Sequence, residues 1–153
     1  MQAADKNKQK TKLKNRRVNV RTPEVMPHVQ TEVEAHYRSR IVEKFRQSNG
    51  RYTIENTTIL LAKEFGFCYG VERAIDLAYA TRQVFPHKNI YLIGEIIHNP
   101  EVNNRLQKMG IMNLAGDNPD AKITDLTKDD IVIFPAFGAE ITLMDQIDRK
   151  GCQ

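Results

Sequence analysis

Cys68, His98 and a set of glutamates are the side chains of this sequence best placed to do chemistry. Cys68 stands in Phe65-Gly66-Phe67-Cys68-Tyr69-Gly70, where a helix is expected to begin. The free N–H groups and dipole of a helix start favour a thiolate, which is the form a metal or cluster requires. Gly66 and Gly70 allow something bulky to approach the backbone. An unpaired cysteine is also often a small buried hydrophobe, and spacing alone leaves both readings open. His98 directly precedes Asn99-Pro100, an N-cap followed by proline at the first helical position. Backbone N–H groups at a helix start suit an anion, and an imidazole beside them adds a hydrogen bond or a positive charge. A turn histidine bonded to its own helix end is the alternative. Glu72, Glu95 and Glu140 read as solvated or helix-start carboxylates, and His28, His36 and His87 receive no role. Cys152 follows a helix-ending glycine and reads as a core residue at a strand entry. One enzyme class is weakened on paper. A phosphate-cradling thiol loop places five residues between cysteine and arginine, whereas Cys68 and Arg73 have four between them, and Arg73 falls inside the expected helix.

These residues need elements to hold them. Residues 57–153 alternate between apolar runs and helical periods, which implies an α/β fold with a parallel sheet flanked by helices. Thr58-Ile59-Leu60-Leu61-Ala62 is expected to be a strand buried on both faces. A helix follows, with Val71, Ala74, Ile75 and Ala78 on its inner face. Ile90-Tyr91-Leu92-Ile93 is a second strand, and a helix from Asn99 buries Val102, Leu106 and Met109 before Gly110. Ile111-Met112 reads as a very short strand and Ile131-Val132-Ile133-Phe134 as a longer one. A last helix over 139–150 turns Ile141, Met144 and Ile147 inward. Upstream, Thr31 with Glu34 has capping-box spacing. Val33, Tyr37, Ile41 and Phe45 repeat every fourth residue, so a single helix is expected over 31–50. Ligands of open parallel sheets bind beyond the carboxyl ends of the strands. The loops after the three main strands should therefore gather Cys68, His98 with Glu95, and Pro135 to Glu140 on one edge.

The chain has 153 residues, 41% of them hydrophobic and 27% charged, enough for a core without disulfide staples. Two cysteines at 68 and 152 form neither a disulfide framework nor a metal-binding pair. Apolar runs reach about four residues, far below the ~20 of a membrane helix, and no apolar segment of signal-peptide length follows the N-terminus. The net charge of +4 is unevenly spread. Residues 1–22 carry eight basic side chains against Asp5, while the rest holds 15 basic and 18 acidic ones. Residues 1–30 therefore read as a basic, disordered tail and linker. A weak nucleic-acid contact is a less favoured use of it, and a plastid transit peptide is disfavoured because the first 38 residues lack serine. The last helix ends at Gly151, where an α/β domain would begin another strand, so the sequence reads as truncated at its C-terminal end.

Taken in order, Phe65-Gly66-Phe67-Cys68-Tyr69-Gly70-Val71-Glu72-Arg73-Ala74, Gly94-Glu95-Ile96-Ile97-His98-Asn99-Pro100 and Pro135-Ala136-Phe137-Gly138-Ala139 resemble the 4-hydroxy-3-methylbut-2-enyl diphosphate reductase family. The resemblance covers roughly residues 57–153, and is closer to the cyanobacterial and plant branch. It implies the first of three similar α/β domains around a 4Fe-4S cluster, each domain giving one cysteine. Two electrons and protons remove the allylic hydroxyl of the substrate, leaving isopentenyl and dimethylallyl diphosphate. Cys68 matches the first cluster ligand, and His98 a histidine that binds the substrate diphosphate. Phe137 stands where many bacterial members have a second substrate-binding histidine. The resemblance places the other two cluster cysteines and the proton-delivering glutamate beyond Gln153, so no catalytic residue is assigned here and Cys152 is not a ligand. It further implies ferredoxin or flavodoxin as electron donor, and a cytoplasmic location, or the plastid stroma in a plant or alga. The alternative is a non-catalytic α/β module that binds a diphosphate or an acidic partner.

Overall fold

In the computed structural model, residues 18–115, 119–135 and 138–153 are described. The tail expected over 1–30 lies outside them up to residue 17. Residues 18–30 depart from that expectation, because Val20 and Val29 are buried in the core. Helix α1 spans Met26–Tyr37, with proline in its first turn, where the missing N–H costs nothing. Thr31 is inside this helix and its hydroxyl donates to the Pro27 carbonyl at 2.9 Å, so it does not cap. The single helix expected over 31–50 is two. Arg38 and Ser39 are extended, the Ser39 hydroxyl accepts from Val42 N–H at 3.4 Å, and helix α2 spans Arg40–Gln47. Asn49 and Gly50, both at positive φ, close it as the sequence suggests.

Strand β1, Arg51–Ile54, pairs antiparallel with β2, Thr57–Leu60, in a hairpin with Arg51 opposite Leu60. The strand expected to be buried on both faces is exposed at every residue instead. An apolar run specifies a strand but not its neighbour, and β2 pairs with β1 outside the main sheet.

That sheet is parallel, in the order β4–β3–β5, from β3 Ile90–Leu92, β4 Ile111–Asn113 and β5 Ile131–Ile133. Ile90 faces both Ile111 and Ile131 in register. Side chains alternate across a strand, and the core divides accordingly. Ile90, Leu92, Ile111, Ile131 and Ile133 join Ile75, Ala78 and Tyr79 of helix α3 (Tyr69–Val84) and Val102 and Leu106 of helix α4 (Pro100–Lys108). Tyr91, Ile93 and Val132 pack on the other face with Leu114, Leu126, Cys152 and Ile147 of helix α5 (Ile141–Lys150). Helices therefore cover both faces, as an α/β chain requires. Ile141, expected inward, is 78% exposed. A 3-10 turn at Ile123–Asp125 interrupts the polar stretch before β5.

Two features close the frame. Arg82 of α3 donates to the carbonyls of Phe85, Pro86 and Lys88 at 3.4, 3.3 and 3.1 Å, and to that of Gly110 at 2.7 Å. One guanidinium thus joins the end of α3 to the turn before β4. Beside β5, Gln153 N–H donates to the Asp130 carbonyl at 3.1 Å and its carbonyl accepts from Val132 N–H at 2.9 Å. These bonds bracket Ile131 in the manner of a parallel strand, and Cys152 is buried next to them with its thiol 3.2 Å from the Thr127 carbonyl. The core role expected for Cys152 is the one it has.

Candidate functional site

Cys68 is the N-cap of α3, at φ −70° and ψ 159°, and its side chain caps nothing. The thiol is exposed. Of residues 62–70, Phe67 alone is not exposed. Ile75, Ala78 and Tyr79 of α3 share one apolar cluster with Ile90 and Leu92 of β3. Cys68 thus stands at a helix start rather than at the end of a strand of the sheet. Its neighbour Phe67 and the neighbour of His98, Ile97, both pack on the same apolar cluster. β3 and β5 are parallel neighbours, so the loops after them, with Glu95 and His98 and with Pro135, share one edge. Ala136 and Phe137 lie outside the described residues.

His98 is held by Glu95, a residue whose sequence position suggests only a solvated carboxylate. Its Nδ1 lies 2.8 Å from Glu95 Oε2. A carboxylate can only accept, so Nδ1 carries the hydrogen and Nε2 points elsewhere. The i,i+3 spacing was the available signal. The imidazole side chain is 95% exposed and the glutamate 44%, an open pair that orients more than it stabilises. Asn103 shapes the same loop, its amide donating to the Ile97 carbonyl at 2.9 Å. Glu95 and Asn103 also line a polar cavity of about 310 Å³ with Pro100, Asn113 and Asp120.

The anion site expected at the start of α4 is closed. Pro100 has no N–H, and Asn99 Oδ1 accepts from the N–H groups of Glu101 and Val102 at 3.0 and 3.3 Å. Asn99 is the N-cap that the sequence indicated, and by capping well it takes the groups an anion would need. The His98 ring, 95% exposed beside this helix start, is not part of that cap. At α3 the situation is reversed, since Cys68 leaves the first turn uncapped by its side chain. Among the described residues no group of three His, Cys, Asp or Glu side chains could hold a metal. A thiolate is the right donor for an iron–sulfur cluster, so this stretch fits such a group as the source of one ligand.

A family profile described as LytB protein matches residues 59–153. The chain belongs to the LytB family. Curated relatives named 4-hydroxy-3-methylbut-2-enyl diphosphate reductase include those of Gloeothece citriformis, 43% identical over 78% of this chain, and Microcystis aeruginosa, 44% identical over 76%. That of Crocosphaera subtropica is 43% identical over 84%. The chain spans about 30% of the length of these relatives. A solved structure of (E)-4-hydroxy-3-methyl-but-2-enyl diphosphate reductase, the terminal enzyme of the non-mevalonate pathway, is similar over 60% of this chain and 30% of its own, at 29% identity and a TM-score of 0.46. The family assignment agrees with the resemblance carried by the Cys68 and His98 motifs. No described helix is long and apolar enough to cross a membrane.

Proposed function

We propose that this chain is the segment of a 4-hydroxy-3-methylbut-2-enyl diphosphate reductase that gives one cysteine ligand, Cys68, to a 4Fe-4S cluster and one diphosphate-binding side chain, His98. The observation that supports it best is the pairing of an exposed thiol at an uncapped helix start with an imidazole whose Nδ1–H is already committed to Glu95. When bound, the cluster would supply two electrons that, with two protons, release the allylic hydroxyl as water and leave isopentenyl and dimethylallyl diphosphate.

The chain's own residues bind and orient. Cys68 presents an exposed sulfur from the N-cap position of α3. His98 keeps its Nδ1–H on Glu95, which leaves Nε2 as the ring atom that meets a phosphate oxygen. Ferredoxin or flavodoxin is the proposed electron donor, and the cytoplasm, or the plastid stroma in a plant or alga, the proposed compartment.

The test uses the full-length reductase carrying this segment. Cys68→Ser should lose the stable brown chromophore after anaerobic reconstitution with iron and sulfide. His98→Asn, at matched cluster content, should lose roughly ten- to a hundredfold in kcat/KM, from a charge-assisted bond of about 1.5–3 kcal/mol. Full iron retention by the serine variant, or equal kinetics for the asparagine variant, would remove the corresponding residue from the site.

A further inference from the structure

The segment that ends in Cys68 is held at two aromatic residues: the exposed Phe65, with the Arg46 guanidinium 5.3 Å from its ring centroid, and Phe67, which stands next to Cys68. Residues 62–70 are exposed except Phe67, which packs on the main apolar cluster. Its ring meets the Tyr37 ring edge-on, with centroids 5.6 Å apart and planes at 81°. Tyr37 is the last residue of α1, and the Arg105 guanidinium of α4 stands 5.7 Å from the Tyr37 ring centroid. The end of α1 is itself anchored, because His36 Nδ1 and the buried Tyr79 hydroxyl of α3 share a 2.8 Å hydrogen bond. Among the described residues the buried Tyr37 hydroxyl makes no hydrogen bond of good geometry, although it lies near enough to the Tyr79 phenol to raise its pKa, so Phe67 and Arg105 meet the Tyr37 ring.

We infer that Tyr37 is a positioning residue for Cys68, an aromatic wall against which Phe67 seats and which links the Cys68 segment to the helix that starts after His98. Edge-to-face rings have a preferred geometry, and a guanidinium over the opposite partner fixes the wall from the α4 side. A thiolate ligand must be held in place by its supporting residues to bind well. The α1 helix therefore acts on the candidate site although it contributes nothing that would touch substrate or cluster. This inference rests on the reading of Cys68 as a ligand.

Nuclear magnetic relaxation of the 153-residue chain tests it without a bound cluster. In Tyr37→Ala the backbone order parameters of Phe67 and Cys68 should fall from the rigid range, about 0.85, to below about 0.6, while residues 75–81 of α3 keep theirs. Tyr37→Phe retains the ring and should match the wild type at every position. Val29→Ala, which opens a cavity under α1, should leave Phe67 and Cys68 ordered. If Tyr37→Ala does not fold, Tyr37→Leu keeps apolar bulk without a ring edge and supports the same comparison. In the loaded full-length protein, the ring-less variant should lose its cluster about tenfold faster than Tyr37→Phe. Unchanged order at Phe67 and Cys68, or a loss spread equally over α3, overturns the inference. If instead Cys68→Ser keeps its iron while the order parameters behave as expected, the ligand reading fails and the positioning geometry stands.

Discussion

The Tyr79 phenol is fully buried beneath α1, and burial, helped by the neighbouring Tyr37, holds its pKa well above the ordinary value near 10. Burial raises the Tyr91 phenol too, with Asp130 and Asp125 adding to it. A raised folded-state pKa means that the unfolded chain ionises first. The stabilisation is complete below pH 10 and is lost as pH rises above it, at up to about 1.4 kcal/mol per pH unit and per phenol. Urea midpoints measured from pH 8 to 11.5 should therefore fall above pH 10. Tyr79→Phe should flatten that fall, and should cost about 1 kcal/mol below pH 9 through the lost bond to His36. At this scale the sequence marks individual groups better than their pairings. Cys68 and Asn99 are readable from the glycine bracket and the Asn-Pro pair. Glu95 is an ordinary surface carboxylate until the loop folds and brings it to His98.

Elements carry a different lesson. The helix starts and stops set by local chemistry, at Cys68, Asn99 and Gly151, lie where the sequence places them, because caps act within one turn. The i,i+4 stripe Val33, Tyr37, Ile41 and Phe45 misled, because it runs straight through the extended Arg38-Ser39 step, and Ile41 is 68% exposed. Apolar period alone cannot show a break that one serine cap introduces, nor the Arg38–Glu43 ion pair that spans it. β1 carries little strand signal in the sequence, because Arg51-Tyr52-Thr53-Ile54 is half polar and follows a helix-ending Asn-Gly. Arg82 is the element-scale tie most open to test. Burial lowers its pKa, yet its four carbonyl partners need the charge. Arg82→Met keeps the stem and loses the donors. It should cost about 2–3 kcal/mol in unfolding free energy, read from denaturant curves, with the helix signal in circular dichroism retained.

For the whole molecule, stability resides in the sheet and its two covered faces. Ile90 in the central strand is fully buried, and Ile90→Ala should lower the unfolding free energy by about 3–4 kcal/mol. Ile59 in the hairpin is 43% exposed, and Ile59→Ala should change it by about 0.5 kcal/mol or less. Had β2 been the doubly covered strand that its composition suggests, the two costs would match, so the pair of urea titrations distinguishes the two architectures. The parallel sheet and its flanking helices were legible because β3, β4 and β5 are short apolar runs separated by helical periods. The hairpin's detachment was not, since pairing partners are a property of the folded chain.

That detachment leaves apolar surface open. Tyr52, Ile54, Ile59 and Leu60 stand exposed on a two-stranded ribbon, with Phe65 close behind in sequence. A ribbon of this kind offers both apolar side chains and open backbone edges to any neighbour in a concentrated solution. Leu60, 71% exposed, stabilises little and invites association. Leu60→Lys should raise the concentration at which light scattering first detects aggregates, while leaving the urea midpoint within about 0.5 kcal/mol of the wild type.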